Sequence, residues 1–231
     1  VSAAARKAPR KPARRPRRAP PDRARVAALV RALKRHDPDP RCALDYASPY
    51  ELICSVILSA QCTDKRVNLV TPALFARYPN VEALARATQA DVEELVRTTG
   101  FFRNKARNLI GMAQGVVERF GGQVPRGMDE LLSLPGVARK TANVVRGEAF
   151  GLADGVVVDT HVTRLAGRLG LTRHKDPVKI ERDLMALLPR EEWIPFSHRL
   201  IRLGRTICVA RKPRCPACPL SALCPRIGVT S

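Results

Sequence analysis

Near the end of the chain four cysteines stand in the array C-x6-C-x2-C-x5-C: Cys208, Cys215, Cys218 and Cys224. Four thiols in one short, Pro-rich loop can close around a metal centre, and their spacing narrows which one. Structural zinc sites usually come as two tight C-x2-4-C knuckles separated by a longer stretch. Here Cys215 and Cys218 alone form such a knuckle. A wide gap on each side suits a bulkier centre, and an all-cysteine set is what a [4Fe-4S] cluster needs. On spacing alone zinc and disulfides remain open. The cysteine count of 7 is odd, and Cys42, Cys54 and Cys62 fall in segments that read as helical or buried. A secreted disulfide framework is more often short, even-numbered and loop-rich. The chain therefore reads as reduced and intracellular.

The 231 residues carry a net charge of +20. A charge that large points to a polyanion, most often nucleic acid. A basic tail on an ordinary domain is the plainer explanation, and it does not suffice. Residues 1–21 contain eight Lys or Arg and no acid, which leaves +12 on the remainder. The same 21 residues hold five prolines and almost nothing large and apolar. Such a segment cannot offset the entropy of ordering, so it is expected to be a disordered basic arm. It lacks the apolar run of a signal peptide. No stretch of 18 apolar residues exists, so no membrane span is expected.

From Asp22 onward the periodicity is helical. Val26, Leu29, Val30 and Leu33 repeat at the helical period over residues 22–36. Residues 50–60 are almost wholly apolar and read as a buried central helix. Thr63 or Asp64 caps the next helix, which runs to about Tyr78. Further helices fit 81–87, 89–98, 104–120, 128–133, 138–150, 161–169, 177–187 and 195–206, punctuated by glycine and proline. The one strand-like run, 156–158, is too short to found a sheet. The expected fold is all-α, without internal repeats.

Two segments carry chemistry. In LPGVARKTANVV, residues 134–145, a Pro-Gly turn joins a short helix to a new one. Gly136 permits positive φ and close approach of a ligand. The opening helix presents unpaired N–H groups and a positive dipole end, a site for a DNA phosphate. Many Pro-Gly turns join helices without binding anything. Lys140 lies in the first turn of that second helix, beside Arg139. The dipole, the neighbouring cation and partial burial would all favour the neutral amine that a nucleophile requires. A plain phosphate-binding lysine fits the position equally. In VVVDTHVTRL, residues 156–165, an apolar run delivers Asp159 to the start of a helix. Asp159 reads as an N-cap, or as a fixed carboxylate facing an electron-poor centre.

LPGVARKTANVV, then VDTH, then the four-cysteine array occur in the order seen in endonuclease III. The chain thus resembles this family of helix–hairpin–helix DNA glycosylases with an iron–sulfur cluster, over about residues 22–226. LSAQCTDKRVN, residues 58–68, also resembles the family segment that lines the DNA groove. The resemblance implies a two-lobed helix–hairpin–helix DNA glycosylase fold. A six-helix barrel domain would span about 42–152. A discontinuous cluster domain would combine 22–41 with 153–231, and the DNA cleft would lie between them. It implies a [4Fe-4S] cluster on Cys208, Cys215, Cys218 and Cys224. It implies a base-excision-repair enzyme that removes oxidised pyrimidines, of the thymine glycol type, from duplex DNA and cuts abasic sites. Lys140 matches the nucleophile that forms a Schiff base with the sugar, and Asp159 the essential carboxylate. Gln61 and Phe101 match the residues inserted where the base leaves. Leu134, Gly136, Ala138 and Arg139 match the DNA-binding hairpin, and Arg205, Arg211 and Lys212 flank the cysteines as phosphate contacts. A monomer in the bacterial cytoplasm or nucleoid is expected.

Two positions depart from the family pattern. Phe101 stands where relatives typically carry leucine. Ala138 stands where glycine is expected. If that residue required positive φ, alanine would cost on the order of 1–2 kcal/mol; otherwise the loop would sit slightly differently, with weaker phosphate binding. On either account Ala138→Gly would tighten binding to abasic DNA. Monofunctional relatives generally lack a lysine at the position of Lys140. A noncatalytic DNA-binding module would need neither Lys140 nor Asp159.

Overall fold

The computed structural model describes residues 21–229. The basic tail, apart from Pro21, lies outside the described residues. Among the described residues every regular element is a helix, in keeping with the expected all-α class. The α-helices are α1 (Arg23–His36), α2 (Pro49–Leu58), α3 (Asp64–Arg77), α4 (Val81–Ala85), α5 (Gln89–Val96), α6 (Phe102–Phe120), α7 (Met128–Leu132), α8 (Arg139–Phe150), α9 (Thr160–Arg168), α10 (Pro177–Leu187) and α11 (Trp193–Thr206). None is long and apolar enough to cross a membrane.

Local chemistry starts most of them. The side chains of Asp22, Ser48, Thr63, Asn80, Thr88, Asp159 and Asp176 each accept a hydrogen bond from the first turn of the helix that follows. Such caps are typically worth about 1 kcal/mol each. Two starts differ from the sequence reading by two residues. Helix α6 begins at Phe102 rather than 104, because Gly100 and Phe101 both turn the chain at positive φ. Helix α11 begins at Trp193 rather than 195, and Pro195 sits within its first turn, where a missing N–H costs nothing.

The buried apolar side chains form two clusters. One is built from α2–α8 and includes Leu52, Leu58, Leu74, Leu109, Met112 and Val145. The other joins α1 to α9–α11 and includes Leu29, Leu33, Leu165, Leu184, Phe196 and Leu200. The apolar run at 156–158 runs between them as extended chain, not as a strand of a sheet. Val157 packs into the first cluster, and Val156 and Val158 into the second. Successive side chains of extended backbone point to opposite sides, so three valines secure both cores. Each buried valine contributes roughly 1.5–3 kcal/mol.

Polar contacts add to this join. Glu181 on α10 is buried and accepts from Arg139 Nε at 2.8 Å, Arg139 Nη2 at 3.2 Å and Asn143 Nδ2 at 2.9 Å, all from α8. Gly155 passes so close to Glu181 Oε1 that a Cβ there would have no room. Arg205 on α11 pairs with Asp64 at the start of α3, at 2.6 Å.

Candidate active site and metal centre

A cleft of about 490 Å³ is lined by residues of both clusters. Lys140 and Val144 of α8 face it from one side, with Val157 and Asp159 entering on the extended segment. His198, Arg202 and Arg205 come from α11, and Asp37, Asp39 and Arg41 from the chain after α1. The volume is within the range of small-ligand sites.

The charges in this cleft are mostly matched. Arg202 pairs with Asp37 at 2.7 Å, Arg41 with Asp39 at 2.6 Å and Arg205 with Asp64 at 2.6 Å. His198 Nε2 meets Glu148 Oε1 at 2.6 Å. Among the described residues, Lys140 and Asp159 line the cleft with no ion-pair partner. They reach it from different cores, one on the opening turn of α8 and one at the end of the valine segment. Asp159 is half-buried and serves as the N-cap of α9, with Oδ1 accepting from Val162 N at 2.8 Å. The cap reading and the cleft-facing reading therefore hold for the same side chain. Lys140 is exposed, so the partial burial expected of it is absent. Next to Asp159, burial pushes the His161 pKa down despite the nearby carboxylate, and Arg164 and Arg205 push the same way.

The turn into α8 is built as a hairpin. Gly136 has φ 76°, and a Cβ there would meet Asn108 Cβ at 2.8 Å, so both conformation and space call for glycine. Ala138 is the N-cap of α8 with φ −87° and no side-chain cap. The condition for strain there is therefore not met: alanine adopts this extended conformation freely, and the strain argument for Ala138→Gly lapses. An uncapped helix start leaves its N–H groups open to an anion. Leu134, expected at the DNA surface, is 3% exposed and packs under the hairpin against Gly115. Its side chain belongs to the core. Arg139 has its guanidinium committed to Glu181.

Gln61 and Phe101 lie outside the cleft's lining. Both are exposed non-glycine residues in the left-handed region, at φ 52° and φ 48°. Phe101 is 64% exposed, a large apolar ring held out in water. Backbone strain of this kind costs on the order of 1–3 kcal/mol per residue and tends to persist at functional sites. Beneath them lies a residue that sequence reasoning missed. Lys105 is 4% exposed and donates to Leu58 O at 2.9 Å and Thr99 O at 2.7 Å. The signal was available, because Lys105 shares the buried stripe of α6 with Leu109, Met112 and Val116, where a charge is out of place.

Cys208, Cys215, Cys218 and Cys224 line one pocket beside α9 and α11, all partly buried and none in a disulfide. Arg168 Nη1 donates to Cys208 Sγ at 3.3 Å, and Arg226 N to Cys224 Sγ at 3.4 Å. Burial, and then the neighbouring cysteines, push the Cys218 and Cys224 thiols up. A positive centre among them would reverse that shift, since metal ligation requires thiolates. Among the described residues no three His, Cys, Asp or Glu side chains stand at single-ion spacing. Arg211 and Lys212 are exposed at the rim of this loop.

Residues 54–190 match the model of the HhH-GPD superfamily of base excision DNA repair proteins. The chain is 56% identical to endonuclease III of Synechocystis sp. over 201 residues, which is 87% of this chain and 92% of that protein. It is 46% identical to endonuclease III of Bacillus subtilis over 188 residues, 81% of this chain and 85% of that one. A solved trapped endonuclease III–DNA covalent intermediate superposes with a TM-score of 0.84 at 41% identity, covering 89% of this chain and 96% of that chain.

Proposed function

The chain belongs to the HhH-GPD superfamily of base excision DNA repair proteins and groups there with the endonuclease III enzymes, and we propose that its cleft removes oxidised pyrimidines from duplex DNA and cuts the strand at the resulting abasic site. The observation that carries this reading is that Lys140 and Asp159, the two unpaired charges of the cleft, face one cavity from separate cores.

The roles follow from chemistry. A damaged base leaves the stack to reach a pocket of this size. The lone pair of Lys140 Nζ attacks C1′, and the bond from C1′ to the base breaks, its electron pair leaving with the base. Loss of a proton from nitrogen and opening of the sugar give a Schiff base. Loss of a C2′ proton then expels the 3′ phosphate by β-elimination. The Asp159 carboxylate stabilises positive charge developing on the sugar. The open start of α8 at Ala138 and the turn at Gly136 receive a backbone phosphate. Gln61 and Phe101 enter the duplex where the base has left, while Arg211 and Lys212 meet phosphates farther along. Arg139 and Arg205 support this surface through Glu181 and Asp64, and Leu134 supports it from the core.

The four-cysteine pocket fits a [4Fe-4S] cluster by its all-thiol donor set, its partial burial and the N–H groups aimed at two of the sulfurs. Cys208, Cys215, Cys218 and Cys224 would hold it, and its contribution when bound is to cross-link the loop. We assign about 42–152 to the barrel domain and 22–41 with 153–231 to the cluster domain. A thiol-ligated centre and a DNA substrate suit the reducing cytoplasm or nucleoid of a bacterium.

Borohydride trapping on duplexes bearing thymine glycol or an abasic site tests the activity. A covalent adduct with both lesions supports it. An adduct with the abasic site alone would mean a different base substrate, and none, despite tight binding, would mean a binding module.

Two further results are expected. Ala138→Asp caps α8 and raises stability by about 1 kcal/mol. The same carboxylate occupies the N–H groups meant for phosphate and repels it, so affinity for abasic DNA falls at least about 10-fold. Thermal melting and a binding titration check both halves, and unchanged affinity would remove the phosphate from the hairpin. Cys215→Ser leaves the Lys140 cleft standing but destabilises the loop and the helices beneath it by at least about 2 kcal/mol, with loss of visible absorbance. A colourless variant of full stability and activity would contradict the cluster.

A further inference from the structure

Lys105 is a buried lysine without a carboxylate beside it. Its two hydrogen bonds go to Leu58 O, the last carbonyl of α2, and Thr99 O, the last carbonyl of the 3₁₀ turn Arg97–Thr99. Helix C-termini leave such carbonyls unpaired and carry the negative end of the dipole. An ammonium group between two of them is compensated without an anion, although burial pushes its pKa below the ordinary lysine value.

The two carbonyls share a second property. Leu58 lies three residues before Gln61, and Thr99 two residues before Phe101. One buried cation thus joins the roots of the two turns that hold the protruding, left-handed side chains. Nothing else in the geometry of α6 requires a charge at this position, since its neighbours on the stripe are apolar.

We propose that Lys105 is a positioning residue for base excision: it ties the turn bearing Gln61 to the turn bearing Phe101, and so holds both side chains at the separation needed to enter the duplex together. This rests on the reading that Gln61 and Phe101 insert into DNA. Extruding a stacked, paired base costs a few kcal/mol, and an abasic site has no base to extrude. Loss of the tether therefore falls on excision of an intact lesion more than on cleavage of an abasic site.

The test is Lys105→Met, which keeps length and burial but removes charge and donors. Three quantities are measured on the full protein: excision of thymine glycol, cleavage of an abasic duplex, and fluorescence of 2-aminopurine opposite the lesion. Excision is expected to fall about 10- to 100-fold, the scale for misplacing an active-site group by about 1 Å, with the fluorescence rise lost. Abasic cleavage is expected to change by less than about 3-fold, since it draws less on the inserted pair. Equal losses in both reactions, or no loss in either, overturn the proposal. Lys105→Gln, which can reach one carbonyl at a time, serves if the methionine variant does not fold; intermediate excision supports the tether, and wild-type excision overturns it. Gln61→Ala and Phe101→Ala are measured alongside. If these leave the fluorescence unchanged, the insertion reading fails; if they abolish it and Lys105→Met does not, the tether alone fails.

Discussion

Lys140→Gln removes the borohydride-trapped adduct entirely and lowers strand cleavage at abasic sites by at least about 10³-fold. Glutamine has similar bulk and remains polar, but its amide nitrogen cannot form an imine with a sugar aldehyde. The fold is expected to be indifferent. Lys140 is exposed and makes no ion pair among the described residues, and exposed substitutions usually stay within about 0.5 kcal/mol. A cation in the first turn of α8 opposes the helix dipole, so its removal is neutral or slightly stabilising. Abasic duplex should still bind, because the open start of α8 and the inserted residues are untouched. Unchanged melting with retained binding and no adduct isolates the chemical role. Trapping that persists would assign the nucleophile to another amine.

Asp159→Asn separates the two jobs of one side chain. Asparagine is as good an N-cap as aspartate, and its amide oxygen can keep the bond from Val162 N. Only the charge is lost, at a dipole cost of roughly 0.3–1 kcal/mol. Activity is expected to fall about 10²- to 10³-fold, the scale for removing one stabilising group from a developing charge. Asp159→Ala should lose a similar amount of activity and about 1 kcal/mol more stability. If the asparagine variant keeps its activity and only the alanine variant suffers, Asp159 is a cap and nothing more.

The parts legible in the sequence are those with local causes. Apolar patterning with glycine and proline punctuation locates every α-helix among the described residues, and most of these start at a side-chain cap written into the chain. That Lys140 and Asp159 line one cleft is not legible from either segment alone; the family resemblance implies it, and the geometry depends on two cores seated together. Ala138 shows that an expected residue type does not fix a backbone angle: the positive φ of this turn belongs to Gly136. Leu134 was misjudged because a residue in a surface motif can still point inward. Glu181 is not legible as a partner because Asn143 lies 38 residues away. Lys105 is legible as a charge on an apolar stripe, but the tie it makes is not, since Leu58 O lies 47 residues away.

The three valines at 156–158 bear on how this protein can be taken apart. A chain cut just before Asp159 would leave one fragment holding Lys140 but also Val156 and Val158, side chains that belong to the other core. A cut just before Val156 would strand Val157 with the wrong partner. No boundary in this stretch yields two fragments with complete interiors. Separately expressed halves should therefore be recovered poorly soluble, and a protease-sensitive linker engineered here should unfold the molecule rather than release two working pieces.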